Sequence, residues 1–470
     1  MTQQKAELGM IGLGVMGRNL LLNMADHGFT VAGYDRDPEK VTALNREGAG
    51  KKVMAFEKLT DFLDSLQRPR SVMLLVPAGE AVDAVIDELT PHLADGDLII
   101  DGGNSFFADT DRRRDKLEAE GYHYLGVGVS GGEEGARRGP SMMPGGSREA
   151  YARVQFLLEA VAAKVGDEPC VAWLGPGSAG HYVKMVHNGI EYGLMQLIAE
   201  SYDLMKRGLG LDNSRLQKIY RDWNDGNELN GFLMEITGDI FGRKDDRSDA
   251  DLVDMILDAA RQKGTGMWTS QQALALQVPE PNIDLAVLMR DLSAHRDERK
   301  QAAELFQPTP STFNGDAQQA IDFLQGALSA AFMMTYAQGM ALLQEASRQY
   351  DYGLQLETVA RIWRGGCIIR AALLEDLRAV YQRNPQLANP LLDPTLAKRL
   401  LQRQDQLRQT VVLAARLGIP VPGLMGALAY FDSYRSERLP TNLIQAQRDY
   451  FGAHTYERID TEGTFHTEWK

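Results

Sequence analysis

Cysteine is nearly absent from the chain, whose 470 residues include only Cys170 and Cys367. Two cysteines cannot build a disulfide framework or a thiolate metal site, and such scarcity is typical of a protein from a reducing compartment. The first residues, Met1 to Glu7, are polar and lack the apolar segment of a secretory signal peptide. We therefore expect a cytoplasmic protein.

Positive charge and long apolar runs are also in short supply. The chain carries 50 Lys and Arg against 64 Asp and Glu, a formal net charge of −14. This excess opposes binding to nucleic acid or to an anionic membrane surface. Glycine or charge interrupts the apolar runs before the roughly 20 residues that a membrane span needs. We expect a soluble protein with neither partner, although a few converging cations can still bind a small acidic substrate.

The composition is otherwise globular, with 44% hydrophobic and 24% charged residues. The length exceeds one ordinary hydrophobic core, so two or three domains are expected. Apolar periodicity predicts an α/β Rossmann domain with a doubly wound sheet over residues 1–178, and a large all-α domain over residues 179–435. Residues 436–470 form a C-terminal tail.

Six short apolar segments in the first domain predict the strands of a parallel sheet, since they alternate with helical segments. They are Leu8–Leu13, Thr30–Tyr34, Ser71–Val76, Leu98–Ile100, Tyr124–Val129 and Cys170–Leu174. Glycine-rich or polar residues follow four of them, beginning at Gly12, Pro77, Gly102 and Ser130. Because ligands of open parallel sheets bind at the carboxyl ends of the strands, one site is expected there.

The first predicted strand runs into Gly12-Leu13-Gly14-Val15-Met16-Gly17. This GxGxxG pattern opens a helix, and an acid, Asp35, follows after about 20 residues, as in dinucleotide-binding folds. The glycines allow the backbone to approach a pyrophosphate at the helix N-terminus. A tight turn without a ligand is the alternative, and the surrounding pattern disfavours it.

A polar stripe follows on the first helix of the second domain. Its members lie at i, i+3, i+4, i+7 and i+8, which is one face of a helix, and they are Lys184, His187, Asn188, Glu191 and Tyr192. A solvated face is the ordinary explanation for two isolated charges. Five hydrogen-bonding residues in register, directly after a dinucleotide domain, favour the wall of a substrate site.

The stripe contains a candidate base and a candidate acid. A hydroxyl delivers hydride only if its proton also leaves, and a neutral Lys184 can accept that proton when burial lowers its pKa. Glu191 lies about 10 Å further along the helix, so it would act on another atom of the same small substrate. His181 and His187 do not share a face, and we expect no metal.

At these residues the chain resembles the 6-phosphogluconate dehydrogenase family, over essentially its whole length. Besides the stripe, the motifs are Asp101-Gly-Gly-Asn104, Val129-Ser-Gly-Gly-Glu-Glu-Gly135, Lys263-Gly-Thr-Gly266 and Arg448-Asp-Tyr-Phe-Gly-Ala-His454. The resemblance implies oxidative decarboxylation of 6-phosphogluconate to ribulose 5-phosphate with reduction of NADP, in the pentose phosphate pathway and gluconate utilization.

The resemblance also implies residue roles. The counterpart of Lys184 takes the C3 hydroxyl proton and later polarises the ketone, and the counterpart of Glu191 protonates C1 of the enediol. Lys263, Arg290 and Arg448 would bind the phosphate, since cations pair with its charge. The implied substrate-binding residues are Asn104, Ser130, Gly131, Gly132, His187, Asn188, Tyr192, Lys263, Thr265, Arg290, Arg448 and His454.

The cofactor contacts implied by motif and resemblance are Gly12, Leu13, Gly14, Val15, Met16, Gly17, Asp35, Arg36, Asp37, Val76, Pro77, Ala78 and Asn104. The chain departs from the family pattern at two of these sites. Asp35-Arg36-Asp37 stands where Asn-Arg-Thr is usual, and Pro77 replaces a common lysine. Because a carboxylate at Asp35 favours a free ribose hydroxyl over a phosphate, we expect NADP use with unusually good acceptance of NAD.

The tail has no core of its own, yet it contains several aromatic residues that are costly to expose. The resemblance implies a homodimer in which the tail enters the neighbouring subunit, where Arg448 and His454 complete that subunit's site. Isolated protomers would then be inactive. Within the helical domain, Leu216 to Gly226 and Leu356 to Gly366 match at five positions with one spacing, four of them identical. This similarity indicates a duplicated unit or a chance match.

Two alternatives remain. A related β-hydroxyacid dehydrogenase would share the cofactor domain and the lysine, but such chains are shorter and lack the Lys263 loop and the tail. A non-catalytic cofactor-sensing dimer is the other, and the presence of both Lys184 and Glu191 disfavours it.

Overall fold

The computed structural model describes residues 4–226, 228–307 and 312–469. The outermost ends of the expected first and third segments, residues 1–3 and 470, lie outside the described residues. The first part of the chain contains seven strands: β1 (Leu8–Ile11), β2 (Val31–Tyr34), β3 (Val53–Phe56), β4 (Ser71–Leu74), β5 (Leu98–Asp101), β6 (His123–Ser130) and β7 (Ser141–Gly146). They form one sheet in the order β3-β2-β1-β4-β5-β6-β7.

Neighbours from β3 to β6 pair in parallel, and only β7 is antiparallel to β6. This order confirms the predicted Rossmann fold. The four central strands β1, β2, β4 and β5 are buried on both faces, which explains their continuous apolar sequences. The helices of this region are α1 (Val15–Asp26), α2 (Pro38–Glu47), α3 (Leu59–Asp64), α4 (Glu80–Leu89), α5 (Phe107–Ala119), α6 (Gly132–Arg138), α7 (Arg148–Ala152) and α8 (Gln155–Val161).

The prediction of a strand over Cys170–Leu174 is wrong. This stretch is irregular, although it runs beside β7. Val171 forms a single bridge with Met142, and the amides of Met142 and Leu174 donate to the carbonyls of Cys170 and Pro144. A small hairpin precedes it, made of β8 (Lys164–Val165) and β9 (Glu168–Pro169). Two strands of the seven-stranded sheet were not predicted, β3 and β7.

The rest of the chain is almost entirely helical. Its helices are α9 (Ala179–Asp203), α10 (Asn213–Asp225), α11 (Phe232–Phe241), α12 (Leu252–Met255), α13 (Thr265–Ala275), α14 (Pro281–Ala294), α15 (Arg296–Phe306), α16 (Ala317–Gln349), α17 (Leu356–Ile362), α18 (Leu373–Arg383), α19 (Pro394–Leu417), α20 (Pro422–Tyr434) and α21 (Thr441–Gly452). The long helices α9 and α16 pack together in the largest hydrophobic core.

Among the described residues, one helix, α16, is long and apolar enough to cross a membrane by composition alone. However, 94% of its most apolar window is buried inside the molecule. Its apolar surface is therefore covered by neighbouring helices, as in the core helix of a globular domain.

The duplicated unit is visible as a local two-fold arrangement. Trp223 and Trp363, which correspond in the two sequence copies, are both buried. The segments that follow them pair symmetrically: the amide of Phe232 donates to the carbonyl of Arg370, and the amide of Ala372 donates to that of Asn230. Each of these residues lies 140 positions from its counterpart, so the two copies meet across a pseudo-two-fold axis.

The tail is held mainly by one buried carboxylate. Asp449 on α21 accepts hydrogen bonds from the amides of Thr455 and Thr467, from His466 and from the indole of Trp469. A short hairpin, β10 (Tyr456–Glu457) with β11 (Thr464–Phe465), completes this fold. The tail thus has local order without a hydrophobic core of its own.

Candidate active site

Glycines bring α9 against the end of the sheet, and this contact positions Lys184. A Cβ atom at Gly128 in β6 would lie 2.3 Å from the Cβ of Lys184, and one at Gly180 would lie 2.2 Å from the Met143 carbonyl oxygen. Only glycine permits such close approach of helix and strand. Lys184 is therefore fixed near the carboxyl end of β6, which is where the sequence places the ligand site.

The polar stripe forms a connected hydrogen-bond network. The Lys184 Nζ donates to Asn188 Oδ1 at 2.7 Å and lies 3.5 Å from His187 Nδ1. Asn188 Nδ2 donates to Thr265 Oγ1 at 3.1 Å, and His187 Nε2 lies 3.2 Å from Ser130 Oγ. Residues from β6, α9 and α13 thus meet around one amine.

Burial dominates the electrostatics of the network. It lowers the pKa of Lys184 below its ordinary value, against the opposing charge of Glu191. Burial and the Lys184 charge together hold the pKa of His187 well below its usual range. Burial raises the pKa of Glu191, although Lys184 and Arg290 oppose this. Burial therefore shifts the pKa of each of these three groups in the direction of its uncharged form.

The acid end of the stripe meets a cation. The guanidinium carbon of Arg290 lies 3.4 Å from the ring centroid of Tyr192, a cation–π contact. The Tyr192 ring is confined from the other side, since a Cβ at Gly266 would lie 2.4 Å from its Cδ2. The sequence alone could not separate Arg290 from an ordinary exposed helix residue, and the structure places it beside Glu191 and Tyr192.

The remaining predicted substrate residues differ in placement. Gly131 and Gly132, directly after Ser130, have φ of +121° and +62° and begin α6. Asn104 and Lys263 are exposed, the latter just before α13. Arg448 and His454 are not brought to the network within one chain. Arg448 donates to Gln445, and His454 packs against Phe451, so the contacts of both lie inside the tail.

Two groups of residues were missed by the sequence analysis. The first is the glycine-rich segment after Trp363, for which the sequence analysis predicted no role at the site. Its Gly366 carbonyl accepts from the Ser141 amide at 2.8 Å and lies 2.6 Å from where a Cβ on Gly131 would be. Trp363 itself packs edge-on against His187, with ring centroids 5.6 Å apart. The segment therefore packs against the loop that begins at Ser130 and supports it.

The second missed group is a buried network behind the loop after β5. The Asp101 carboxylate accepts from the Gly103 amide at 3.0 Å, Ser105 Oγ at 2.6 Å and Tyr124 OH at 3.1 Å. Arg113 lies 3.5 Å from the same carboxylate and also donates at 2.9 Å to the Gly79 carbonyl. Arg113 thereby links the loops that follow β4 and β5. The Asp-Gly-Gly-Asn motif was the signal that could have indicated this network.

The glycine loop has the shape of a pyrophosphate cradle. Gly12 has φ of +95°, and a Cβ there would lie 2.5 Å from the Leu75 carbonyl oxygen. A Cβ at Gly17 would lie 1.9 Å from the Gly12 carbonyl, whereas the space beside Gly14 is open. Gly14 is the N-cap of α1 and provides no capping side chain. The N-terminal amides of α1 therefore have no capping side chain, which fits a site for a dinucleotide phosphate.

The acids after β2 have structural partners. Asp35 accepts from the Leu13 amide at 2.8 Å and from the Asp37 amide at 3.0 Å. Asp37 caps α2 by accepting from the Glu39 amide at 3.0 Å. Asp35 thus braces the glycine loop, and much of its hydrogen-bonding capacity is already used by the backbone.

Comparison with known proteins identifies relatives of the whole chain. The family model for the NAD binding domain of 6-phosphogluconate dehydrogenase matches residues 7–175, and that for the 6-phosphogluconate dehydrogenase C-terminal domain matches residues 180–469. The chain is 52% identical over 466 residues to the decarboxylating 6-phosphogluconate dehydrogenase of Synechococcus elongatus, covering 98% of this chain and 99% of the relative.

A second relative is the NADP(+)-dependent, decarboxylating 6-phosphogluconate dehydrogenase of Bacillus subtilis. It is 50% identical over 466 residues, covering 99% of both chains. Among solved structures, the 6-phosphogluconate dehydrogenase of Plasmodium falciparum superimposes with a TM-score of 0.95 and 43% identity. The match covers 98% of this chain and 100% of that one, which was solved in its apo form, with NADP+ and with 6-phosphogluconate.

Proposed function

The chain belongs to the 6-phosphogluconate dehydrogenase family, and from this premise we propose that it converts 6-phospho-D-gluconate to ribulose 5-phosphate and CO2 with reduction of NADP. The observation that carries the proposal is the buried Lys184 amine, hydrogen-bonded within the polar stripe at the carboxyl end of β6. The reaction is that of the pentose phosphate pathway, and we extend the proposal to gluconate utilization.

Lys184 is proposed as the general base. Its lowered pKa supports a population of neutral amine that can accept the proton of the C3 hydroxyl. Asn188 Oδ1 at 2.7 Å holds the amine in place before and after the transfer. The protonated amine can then donate to the ketone oxygen of the 3-keto acid, which draws electrons from the bond to the carboxylate as CO2 leaves.

Glu191 is proposed as the acid that protonates C1 of the enediol. Its raised pKa supports a protonated carboxyl, and its place along α9 separates it from the base by about two turns. Ser130, Gly131, Gly132, Asn104, His187, Asn188, Tyr192 and Thr265 are proposed to bind the sugar acid. Lys263 and Arg290, with Arg448 and His454 of the partner subunit, are proposed to bind the phosphate end.

The cofactor contacts are proposed at the glycine loop, the acidic turn after β2, and the loops after β4 and β5. When bound, NADP supplies the hydride acceptor. The residues of this chain would orient it: the amides after Gly14 would hold the pyrophosphate, and Arg36 would pair with the 2′-phosphate. Unusually good acceptance of NAD remains a prediction, because the Asp35 carboxylate would lie beside the adenosine ribose of the cofactor.

We propose a cytoplasmic homodimer that divides into residues 1–178, 179–435 and 436–470. Both cysteines are buried free thiols, which suits a reducing compartment. Leu274 on α13 and Leu288 on α14 are well exposed, as are Leu443 and Phe451 in the tail. A second subunit that covers these surfaces would bury the apolar area.

One assay tests the function directly. Purified protein is mixed with 6-phosphogluconate and NADP or NAD, and reduced cofactor, CO2 and ribulose 5-phosphate are measured. We expect the three products in equal amounts. Reduced cofactor without CO2 would favour a β-hydroxyacid dehydrogenase, and cofactor binding without turnover would favour a sensor.

A further inference from the structure

A cavity of about 240 Å³ lies between the end of β2 and the helix α4. Its lining includes Gly12, Tyr34, Asp35, Arg36 and Glu88. Because it adjoins the glycine loop and the acid after β2, it is where the adenosine ribose of a dinucleotide lies in this fold. The inference below rests on the proposed function, since it concerns the cofactor of that reaction.

The cations around this cavity are paired with carboxylates. Arg36 forms an ion pair with Glu88, which comes from the last turn of α4. Lys40 lies 3.5 Å from Asp35 and 3.7 Å from Asp37. Three carboxylates thus surround two cations, and a 2′-phosphate entering here meets a locally acidic surface.

Asp35 is poorly placed to be the whole source of discrimination. Its two oxygens accept from the amides of Leu13 and Asp37, so its charge is partly compensated and its position serves the glycine loop. Glu88 differs, because its side chain pairs with the cation that a 2′-phosphate would need.

We propose that Glu88 is a specificity-determining residue that competes with the 2′-phosphate of NADP for Arg36. Binding of NADP requires Arg36 to leave Glu88, and the released carboxylate then repels the phosphate. Binding of NAD requires neither step. Glu88 therefore reduces the preference for NADP over NAD. It does so from α4, at a position 52 residues from Arg36 in sequence.

The expected effect is modest, because Arg36 is exposed. Exposed ion pairs are worth up to about a fivefold change in an equilibrium constant. We expect Glu88→Gln to tighten binding of adenosine 2′,5′-bisphosphate by about 3- to 5-fold. Glu88→Lys, which adds a cation, should tighten it on the order of 10-fold at low salt. Binding of 5′-AMP should change less than about twofold in both variants.

Calorimetric titration of the full-length protein with the two nucleotides measures these affinities without turnover. The matched control is Asp87→Asn, which removes the same charge from the adjacent residue. Asp87 pairs instead with Lys116 at 2.9 Å, outside the cavity lining. We expect the control to leave the ratio of the two affinities unchanged, and high salt to reduce the gain in the Glu88 variants.

Equal changes for both nucleotides, or the same gain from Asp87→Asn, would overturn the proposal. So would an unchanged affinity for the bisphosphate in both Glu88 variants. Turnover of 6-phosphogluconate by the unmodified protein is measured on the same preparation. If that turnover is present while the affinity ratio does not respond, only the role of Glu88 fails; if it is absent with both cofactors, the proposed function fails.

Discussion

Gly128→Ala tests whether the contact between α9 and β6 positions Lys184, the proposed general base. The new methyl group would lie 2.3 Å from the Cβ of Lys184 and 2.8 Å from its Cγ. Ordinary contacts begin near 3.4 Å, so helix and strand must separate by about 1 Å. The backbone at Gly128 has no left-handed φ, which means that the contact itself is the only source of strain.

A shift of this size has a predictable effect on rate. Misplacement of a catalytic group by about 1 Å can cost about 100-fold, and overpacking costs about 1–3 kcal/mol of stability. We expect kcat to fall about 100-fold, while the affinity for NADP stays near that of the unmodified protein. Steady-state kinetics, cofactor titration and urea unfolding measure the three quantities.

The control is Gly9→Ala in β1, where the added Cβ would lie 2.5 Å from Phe62 Cζ. This variant overpacks the same sheet without touching α9, so it should lose stability and keep its kcat. A folded Gly128→Ala protein with kcat within twofold of the original would refute the positioning argument.

Three further residues carry the remaining predictions. Burial raises the pKa of Glu200 to about 7 from 4.5, so the carboxyl ionises first in the unfolded state and stability falls as pH rises from 4.5 to about 7. Glu200→Gln should remove this loss, which is about 3 kcal/mol by pH 8 in urea unfolding. The control Glu304→Gln, at an exposed position, should not remove it. Asp101→Asn removes one of the two carboxylates near the buried Arg113, which keeps its ion pair with Asp83 at 2.8 Å, and should lower the free energy of unfolding by about 1–3 kcal/mol. A loss below about 0.5 kcal/mol, typical of surface sites, would contradict the assigned network. Arg448→Ala should raise the KM for 6-phosphogluconate about 10- to 100-fold, because a charged hydrogen bond is lost. This variant is then mixed and reassociated with the inactive Lys184→Met variant. Recovered activity would show that the tail acts across the dimer, and no recovery would show that it acts within one chain.

Local sequence patterns were sufficient for the features that depend on nearby residues. The glycine loop, the stripe on α9 and the repeated Trp223 and Trp363 segments all follow from spacing along one element. The strand β7 was missed because Ser141–Gly146 contains Pro144 and two glycines, which weigh against a strand. Pro144 is tolerated because β7 lies at the edge of the sheet. Cys170–Leu174 has a strand-like composition, but beside the edge strand β7 it forms only one isolated bridge, between Val171 and Met142.

The partners of charged residues depend on distant segments and could not be read from the sequence. Asp35 was interpreted as a ribose ligand, whereas its carboxylate also binds the Leu13 amide, 22 residues earlier. Glu88 reaches Arg36 from another helix. The packing of Gly366 against Gly131 joins segments more than 200 residues apart. Such contacts arise only when the whole chain has folded.

The most direct test of the central claim is the Lys184→Met variant, assayed for binding and turnover together. Methionine retains the length and burial of the side chain but cannot accept a proton. We predict affinities for NADP and 6-phosphogluconate within a few-fold of the original and a kcat lower by about 1,000-fold or more, within the usual range for a general base. A variant that binds both ligands and still reduces NADP at a near-normal rate would contradict the assignment of Lys184 as the base.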